Sequence, residues 1–343
     1  MTAGRIRIDG GIPSDLADVP RAAKRREDAG YDGGWTAETS HDPFLPVVLA
    51  AEHTERLELG TAIAVAFARN PMTLANLGYD LQAYSRGRFL LGLGSQIRSH
   101  IEKRFSMPWS KPAARMRELI LAMRAIWDCW ETGAPLRFEG EFYRHTLMTP
   151  FFNPGPNPYG PPKVLLAAVG EKMTETAGEV ADGMLVHAFT TERYLREVTL
   201  PALDRGFKAA GRTSEGFQLS LPVFVVAGHT DEELERAAAA TREQIAFYAS
   251  TPAYRGVLEL HGWGDLQTEL NALSKQGEWK KMGTLLDDEV LRTFAAVGTP
   301  AEAARTIKER FTGVVHRVNF YMTYQPGEGL VSELVSELRK DEA

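Results

Sequence analysis

The feature that most constrains the fold is an alternation, repeated eight times, of apolar runs suited to buried strands and stretches with helical periodicity. The run that begins at Leu57 is typical, because it is apolar on both faces before Asn70-Pro71 signals a turn into a helix. Strands buried on both faces belong to parallel sheets covered by helices. The predicted strands lie within residues 5–9, 32–37, 57–71, 89–94, 163–169, 183–188, 217–227 and 314–322.

This count and order favour a single (β/α)8 barrel, the TIM barrel, in one domain over residues 1–343. A doubly wound open sheet is the alternative architecture. Two segments depart from the repeat. Residues 133–162 are rich in proline and aromatic residues, and residues 250–297 are irregular and polar, with helical patches only at 266–273 and 288–294. We interpret both as insertions at the C-terminal mouth of the barrel, with a lid as the other interpretation of the second.

Composition narrows the classes of partner and of chemistry. A formal net charge of −6 and a pI near 5.8, with scattered lysine and arginine, disfavour nucleic acid and membranes as partners. No apolar run approaches the roughly 20 residues of a membrane helix, and the N-terminus lacks a signal-peptide core, so we expect a cytoplasmic protein. The single Cys129 excludes an internal disulfide. Because His41, His187 and His229 are scattered, no metal site is expected.

In a barrel the loops after the strands converge on one mouth, where residues distant in sequence meet. One such loop, Val169-Gly170-Glu171-Lys172, turns on a glycine into the first amides of a helix beside a lysine, an arrangement that holds phosphate in barrels. A plain turn with a solvated lysine is the alternative. Gly92-Leu93-Gly94-Ser95 half-matches a dinucleotide-binding fingerprint, but the third glycine is missing.

The third strand contains small residues, Gly60 and Ala62, where β-branched residues are normally preferred. Glycine inside a strand pattern often marks a bulge or the close approach of another group. We therefore expect something flat to lie against this strand.

Four segments together resemble the luciferase-like monooxygenase superfamily, and within it the oxidoreductases that use coenzyme F420, a 5-deazaflavin. They are residues 29–38, residues 57–63 with 69–71, residues 87–95, and residues 169–170 leading into 177–183. The resemblance implies a non-prolyl cis peptide between Ala62 and Ile63 that supports the cofactor ring, and phosphate contacts at residues 169–172. The implied cofactor-binding residues are Thr39, Ala62, Ile63, Gly94, Ser95, Gln96, Val169, Gly170, Glu171 and Lys172.

The resemblance also suggests where catalysis takes place. F420-dependent relatives commonly carry an Asp-His pair after the second strand, whereas this chain has Glu38-Thr39, with His41 two residues later. Glu38 and His41 are therefore the candidates for proton exchange, with a structural carboxylate as the other interpretation of Glu38. Trp109 and His187 are the candidates for the substrate pocket. The cations available for the polyglutamate tail of F420 are Arg69, Arg98, Lys103 and Arg104.

The expected activity is transfer of a hydride between the deazaflavin C5 and a small organic substrate, which is a carbonyl, an alcohol or an activated alkene. An FMN-dependent luciferase-like monooxygenase is the alternative on the same fold, and a non-catalytic cofactor-binding barrel is the second alternative. The substrate itself is not readable, because pocket-lining loops vary freely on this scaffold. Relatives are often homodimers, so a homodimer is the expected assembly by analogy.

Overall fold

The computed structural model describes residues 5–340 and shows a closed barrel of eight parallel strands surrounded by helices. The strands of these residues, in chain order, are β1 (Arg7–Gly11), β2 (Gly33–Thr36), β3 (Glu58–Thr61), β4 (Ala64–Val65), β5 (Phe89–Gly94), β6 (Phe138–Glu139), β7 (Arg144–His145), β8 (Lys163–Ala168), β9 (Gly183–Val186), β10 (Gln218–Ala227), β11 (Ala295–Gly298) and β12 (Arg317–Tyr321). The barrel strands are β1, β2, β3, β5, β8, β9, β10 and β12. The barrel closes where β12 pairs with β1, with Arg317 opposite Arg7. The predicted (β/α)8 barrel is therefore confirmed.

Helices cover the outside of the barrel and pack at its C-terminal mouth. They are α1 (Val19–Asp28), α2 (Phe44–Glu52), α3 (Pro71–Tyr84), α4 (Arg98–Lys103), α5 (Pro112–Thr132), α6 (Glu171–Val180), α7 (Glu192–Tyr194), α8 (Leu200–Ala209), α9 (Asp231–Ala249), α10 (Arg255–Leu260), α11 (Gly264–Gln276), α12 (Trp279–Thr284), α13 (Asp288–Phe294), α14 (Pro300–Phe311) and α15 (Leu330–Arg339), with a π-helical stretch, Leu195–Thr199, between α7 and α8. Local sequence fixes several helix starts. For example, the Asn70 side chain accepts the Thr73 amide where Pro71 begins α3. Within residues 5–340, no helix combines the length and the apolar character that crossing a membrane requires.

The barrel interior is filled in layers. Where the strands begin, the guanidinium of the fully buried Arg317 donates to both carboxylate oxygens of Asp9 at 2.7 Å and also contacts Glu58, so each buried charge is paired. The next layer contains Trp35 among leucines of β5, β8 and β9. A Cβ atom at Gly60 would lie 2.4 Å from the Trp35 ring. Gly60 therefore makes room for this indole, so the flat neighbour of the third strand at this position is a side chain of the barrel.

The segment over residues 133–162 contains the short hairpin of β6 and β7. The Glu118 carboxylate on α5 accepts the backbone amides of Glu141, Phe142 and Tyr143, which holds the hairpin against this helix. The Glu118 carboxylate therefore ties this segment to the outside of the barrel by accepting hydrogen bonds from three backbone amides.

The segment over residues 250–297 is more regular than its sequence predicts. It contains α10 to α13 and β11. Its apolar patches are too short to show helical periodicity in the sequence, but they pack together with α9 in a second core. That core includes Phe189 after β9, Phe224 on β10 and Phe294 on α13. β11 continues along the end of β10, with Ala295 opposite Phe224. The segment therefore packs against the C-terminal ends of the strands, where the barrel opens.

Candidate functional site

The third barrel strand is interrupted at the mouth. β3 ends at Thr61, the peptide bond between Ala62 and Ile63 is cis, and the chain resumes as β4, which pairs with the end of β5. Ala62 is exposed and Ile63 is partly exposed, whereas Thr61 and Ala64 are buried. We call residues 61–65 the β3 bulge. It presents accessible backbone at the barrel mouth, at the positions that the resemblance named.

Two glycines of β5 give the β3 bulge its space. A Cβ atom at Gly92 would lie 1.7 Å from the Thr61 carbonyl oxygen, and one at Gly94 would lie 2.8 Å from the Ile63 side chain. The Thr61 hydroxyl donates to the Gly92 carbonyl at 2.7 Å and accepts the Gly92 amide at 3.1 Å, which replaces strand-to-strand hydrogen bonds. The two glycines of the Gly92-Leu93-Gly94 pattern are therefore explained by strand packing, because they leave room for the β3 bulge.

The Glu38 carboxylate fastens the far end of the β3 bulge. Its Oε2 accepts the Val65 amide and an Arg69 N–H, both at 2.7 Å, and the Glu38 side chain is only 7% exposed. The Glu38 amide donates to the Ile63 carbonyl at 3.1 Å. Arg69 also donates to the Val65 carbonyl and to Asp42. The structure therefore places Glu38 in a partly buried ion pair beside the bulge, and it commits Arg69 to that pair.

The other residues predicted after β2 and β5 lie close to the bulge on the surface. His41 and Thr39 are exposed on the loop after β2, and the Thr39 carbonyl accepts a hydrogen bond from Arg104. Ser95 and Gln96 are partly exposed directly after β5, where Gln96 has a positive φ of 60°. These four positions follow Glu38 and Gly94 in the chain, and both of those residues contact the bulge directly.

Trp109 lies on the same side of the mouth. Its ring packs edge-to-face on Phe67, with 5.7 Å between ring centroids, in the turn that follows the β3 bulge. The indole is partly exposed. This position stays compatible with the predicted role in the substrate pocket.

A pocket opens at the start of α6, next to the ends of β8 and β9. Gly170, with a φ of 76°, precedes α6, and the first amides of this helix have no acceptor inside the helix. Gly170, Glu171 and Thr190 line the pocket. Thr190 is 8% exposed, and its hydroxyl has no hydrogen-bond partner. Open amides and an unpartnered buried hydroxyl form a site for an anionic group.

This anion pocket contains no cationic side chain. Among the described residues that line it, none is lysine or arginine. Lys172 is exposed and does not line it, and the Glu171 carboxylate is paired with Arg205 on the surface. Val169, Gly170 and Glu171 of the predicted loop thus line the pocket, whereas Lys172 does not. The anion would be held by neutral donors and by the partial positive charge of the helix start.

The bulge and the anion pocket are separated by a span that a cofactor can bridge. β4 pairs with β5, and β5 pairs with β8, whose end leads into α6. Two strand steps of about 4.8 Å separate β4 from β8 by roughly 10 Å across the barrel wall. A tricyclic ring on the bulge with a phosphorylated side chain reaching α6 fits this spacing.

His187 lies at the rim of the anion pocket, after β9. Its Nδ1 accepts the Phe189 amide at 3.1 Å, and its Nε2 is 3.2 Å from the Tyr254 hydroxyl oxygen. Burial lowers the pKa of His187 to about 4, so the imidazole is neutral at physiological pH. Tyr254 stacks on it with 4.7 Å between ring centroids, and burial raises the pKa of this phenol.

Sequence reasoning placed Thr190 at the mouth without giving it a role, and it missed Tyr254. Thr190 stands in the loop after a barrel strand, a position that identifies it as a mouth residue, but its lack of a partner is visible only in three dimensions. Tyr254 comes from a distant segment, and only the fold brings it to His187. Across residues 5–340, no group of three or more histidine, cysteine, aspartate or glutamate side chains could hold a metal ion.

The barrel with a bulged third strand and an anion pocket at its mouth defines a class of protein. Residues 1–317 match the model of the luciferase-like monooxygenase family, and the chain belongs to that family. Proteins similar to it include oxidoreductases and monooxygenases.

Two relatives and two solved structures show the range of the similarity. A Mycobacterium tuberculosis protein named only as uncharacterized is 61% identical over 316 residues, which cover 92% of this chain and 93% of its own. The 5,10-methylenetetrahydromethanopterin reductase of Methanopyrus kandleri is 27% identical over 348 residues, with 95% and 93% covered. A solved structure of the coenzyme F420 dependent tetrahydromethanopterin reductase from that organism has a TM-score of 0.75 at 20% identity and covers 100% of this chain and 99% of its own. The EDTA monooxygenase of Chelativorans sp. BNC1 has a TM-score of 0.76 at 14% identity, with 98% and 94% covered.

Proposed function

We propose that this protein is an oxidoreductase that uses coenzyme F420 and transfers a hydride between the deazaflavin C5 and a small organic substrate, namely a carbonyl, an alcohol or an activated alkene. Membership of the family and sequence similarity to a methylenetetrahydromethanopterin reductase support redox chemistry. The choice of F420 over FMN rests on one observation, the absence of lysine and arginine from the described lining of the anion pocket.

The charge of the phosphoryl group separates the two cofactors. The phosphomonoester of FMN carries a charge of about −1.5 to −2 at pH 7, whereas the phosphodiester of F420 carries one negative charge. The start of α6 offers the equivalent of roughly half a positive charge, and Thr190 adds a neutral hydroxyl. Such a site offsets one negative charge better than two, so it favours the diester.

The residues present fit a deazaflavin with a phosphorylated side chain. The cofactor, when bound, supplies the hydride. Ala62 and Ile63 would support its ring from the β3 bulge, with Thr39, Gly94, Ser95 and Gln96 as the surrounding contacts, and Val169, Gly170, Glu171 and Lys172 would hold the phosphoryl group through backbone amides at the start of α6. Trp109 and His187 would bound the space left for substrate.

Hydride transfer to or from a carbonyl also requires a proton to move. Within the described chain, no side-chain hydrogen bond engages the exposed His41 imidazole, which leaves it free to exchange a proton with substrate and with water. Glu38 supports the reaction indirectly, because its carboxylate is occupied by the Val65 amide and Arg69. In this proposal His41 is the catalytic residue and Glu38 is a positioning residue.

Titration of the purified protein tests the choice of cofactor. Quenching of cofactor fluorescence would be followed with F420, with FMN, and with the tail-less deazaflavin, which has the same ring and ribityl chain but no phosphoryl group. We expect F420 to bind at least tenfold more tightly than either comparison compound. We also expect FMN binding to weaken as the pH rises through about 6, where its phosphate takes on its second charge.

Other outcomes would point to the other functions. FMN that binds as tightly as F420 across this pH range would contradict the proposal and favour a monooxygenase. A protein that binds neither compound would be a barrel without a redox cofactor. Thr190→Val tests the anion pocket. It should weaken the binding of F420 about tenfold and leave the binding of the tail-less deazaflavin unchanged.

A further inference from the structure

The 250–297 segment contributes one polar group to the anion pocket, the hydroxyl of Tyr254. Tyr254 and Ala253 line this pocket together with Gly170, Glu171 and Thr190. Tyr254 stacks on His187 at an interplanar angle of 22°, and the Tyr248 ring contacts the Tyr254 ring edge-to-face, with 6.1 Å between ring centroids. The phenol is therefore held by ring packing on two sides.

The hydrogen bonds around His187 determine which way the Tyr254 proton can point. The Phe189 amide can only donate, so His187 Nδ1 must be the unprotonated acceptor. In the neutral imidazole the proton then resides on Nε2, which donates to the Tyr254 oxygen 3.2 Å away. Because the phenol oxygen already accepts this bond, its own O–H remains as a donor. Within the described chain, no second partner takes that proton.

The free phenol proton faces a site that needs neutral donors. Among its described lining residues the pocket has no lysine or arginine, and the buried Thr190 hydroxyl is likewise without a partner. We infer that Tyr254, oriented by His187, donates its hydroxyl proton to the phosphoryl group of the cofactor, alongside Thr190 and the first amides of α6. This inference rests on the proposed function. It makes the 250–297 segment, through Tyr254, a contributor to cofactor binding.

Replacing Tyr254 with phenylalanine tests the inference, with Tyr248→Phe as the matched control. The Tyr248 hydroxyl bonds to Tyr321 at 3.0 Å, and Tyr248 does not line the pocket. Dissociation constants for F420 and for the tail-less deazaflavin would be measured by fluorescence quenching. We expect Tyr254→Phe to weaken F420 about tenfold and to change the tail-less compound less than twofold. Tyr248→Phe should change neither by more than twofold.

Several outcomes would overturn the inference. Equal weakening of both compounds by Tyr254→Phe would show that the phenol acts on the ring or on the fold, and unchanged binding of both would show that its hydroxyl is not a ligand. Thermal melting of each variant checks that the fold is retained. Failure of the proposed function looks different, because the wild-type protein would then bind F420 no more tightly than the tail-less compound.

Discussion

Replacing Glu38 separates its role in holding the β3 bulge from a role in proton exchange. The carboxylate accepts the Val65 amide and Arg69 at 2.7 Å each, and hydrogen bonds to charged groups contribute about 1.5–3 kcal/mol. Arg69 keeps its bonds to the Val65 carbonyl and Asp42 when Glu38 is lost, so the full cost of a broken buried pair does not apply. We expect Glu38→Ala to lower the free energy of unfolding by about 3 kcal/mol. Glu38→Gln keeps an oxygen acceptor and should cost about 1 kcal/mol.

Urea unfolding of the cofactor-free protein measures these losses, and turnover is measured in parallel. Glu102→Ala is the control, because Glu102 forms an exposed pair with Arg98 whose loss should cost about 0.5 kcal/mol or less. If Glu38 is a positioning residue, Glu38→Gln keeps kcat within about tenfold of the wild type. A Glu38→Gln protein of unchanged stability whose kcat falls by about 100-fold or more, with one limb of the pH profile gone, would refute this reasoning and make Glu38 the proton donor.

Three further predictions concern His187, the glycines of β5, and His41. Burial lowers the pKa of His187 from 6.5 to about 4, so the unfolded chain takes up a proton at a higher pH than the folded chain does. The contribution of His187 to the free energy of unfolding is therefore complete above pH 6.5 and should fall by up to about 3 kcal/mol towards pH 4, as measured by urea unfolding. His187→Phe should remove this pH-dependent loss. Gly92→Ala should cost about 3 kcal/mol or more in thermal or urea unfolding, because its Cβ meets a backbone oxygen at 1.7 Å, whereas Gly94→Ala meets a side chain that can move and should cost less. His41→Asn should lower kcat by about 100-fold and leave the F420 dissociation constant unchanged, and undiminished turnover would remove His41 from the mechanism.

The sequence predicted the barrel because its signals are local and repeated. Each strand is a short apolar run, each helix has its own periodicity, and eight such units admit few arrangements. The positions of the loops follow from that architecture, which is why residues 38–41, 94–96, 169–172 and 187 were predicted to lie at the mouth and do lie there. Helix content over 250–297 was underestimated because those helices are stabilised mainly by packing against α9 and the strand ends.

Pairwise contacts could not be predicted in the same way. Gly60 suggested space for a ligand, but a tryptophan from the neighbouring strand fills it. Arg69 was a candidate for the polyglutamate tail, but it is paired with Glu38 and Asp42, and Arg98 and Arg104 are also engaged in bonds within the protein. Charge and size are visible in a sequence, whereas the partner of a side chain depends on the fold. For the same reason, the unpartnered hydroxyl of Thr190 appears only in the structure.

A crystal structure of the protein with F420 bound tests most directly whether one cofactor spans the two features at the mouth. The expected result is a deazaflavin ring against Ala62 and Ile63, with its phosphodiester within hydrogen-bond distance of the Glu171 amide and the hydroxyls of Thr190 and Tyr254. A ring bound elsewhere in the barrel, or a phosphodiester held by surface lysines and arginines away from the start of α6, would contradict it.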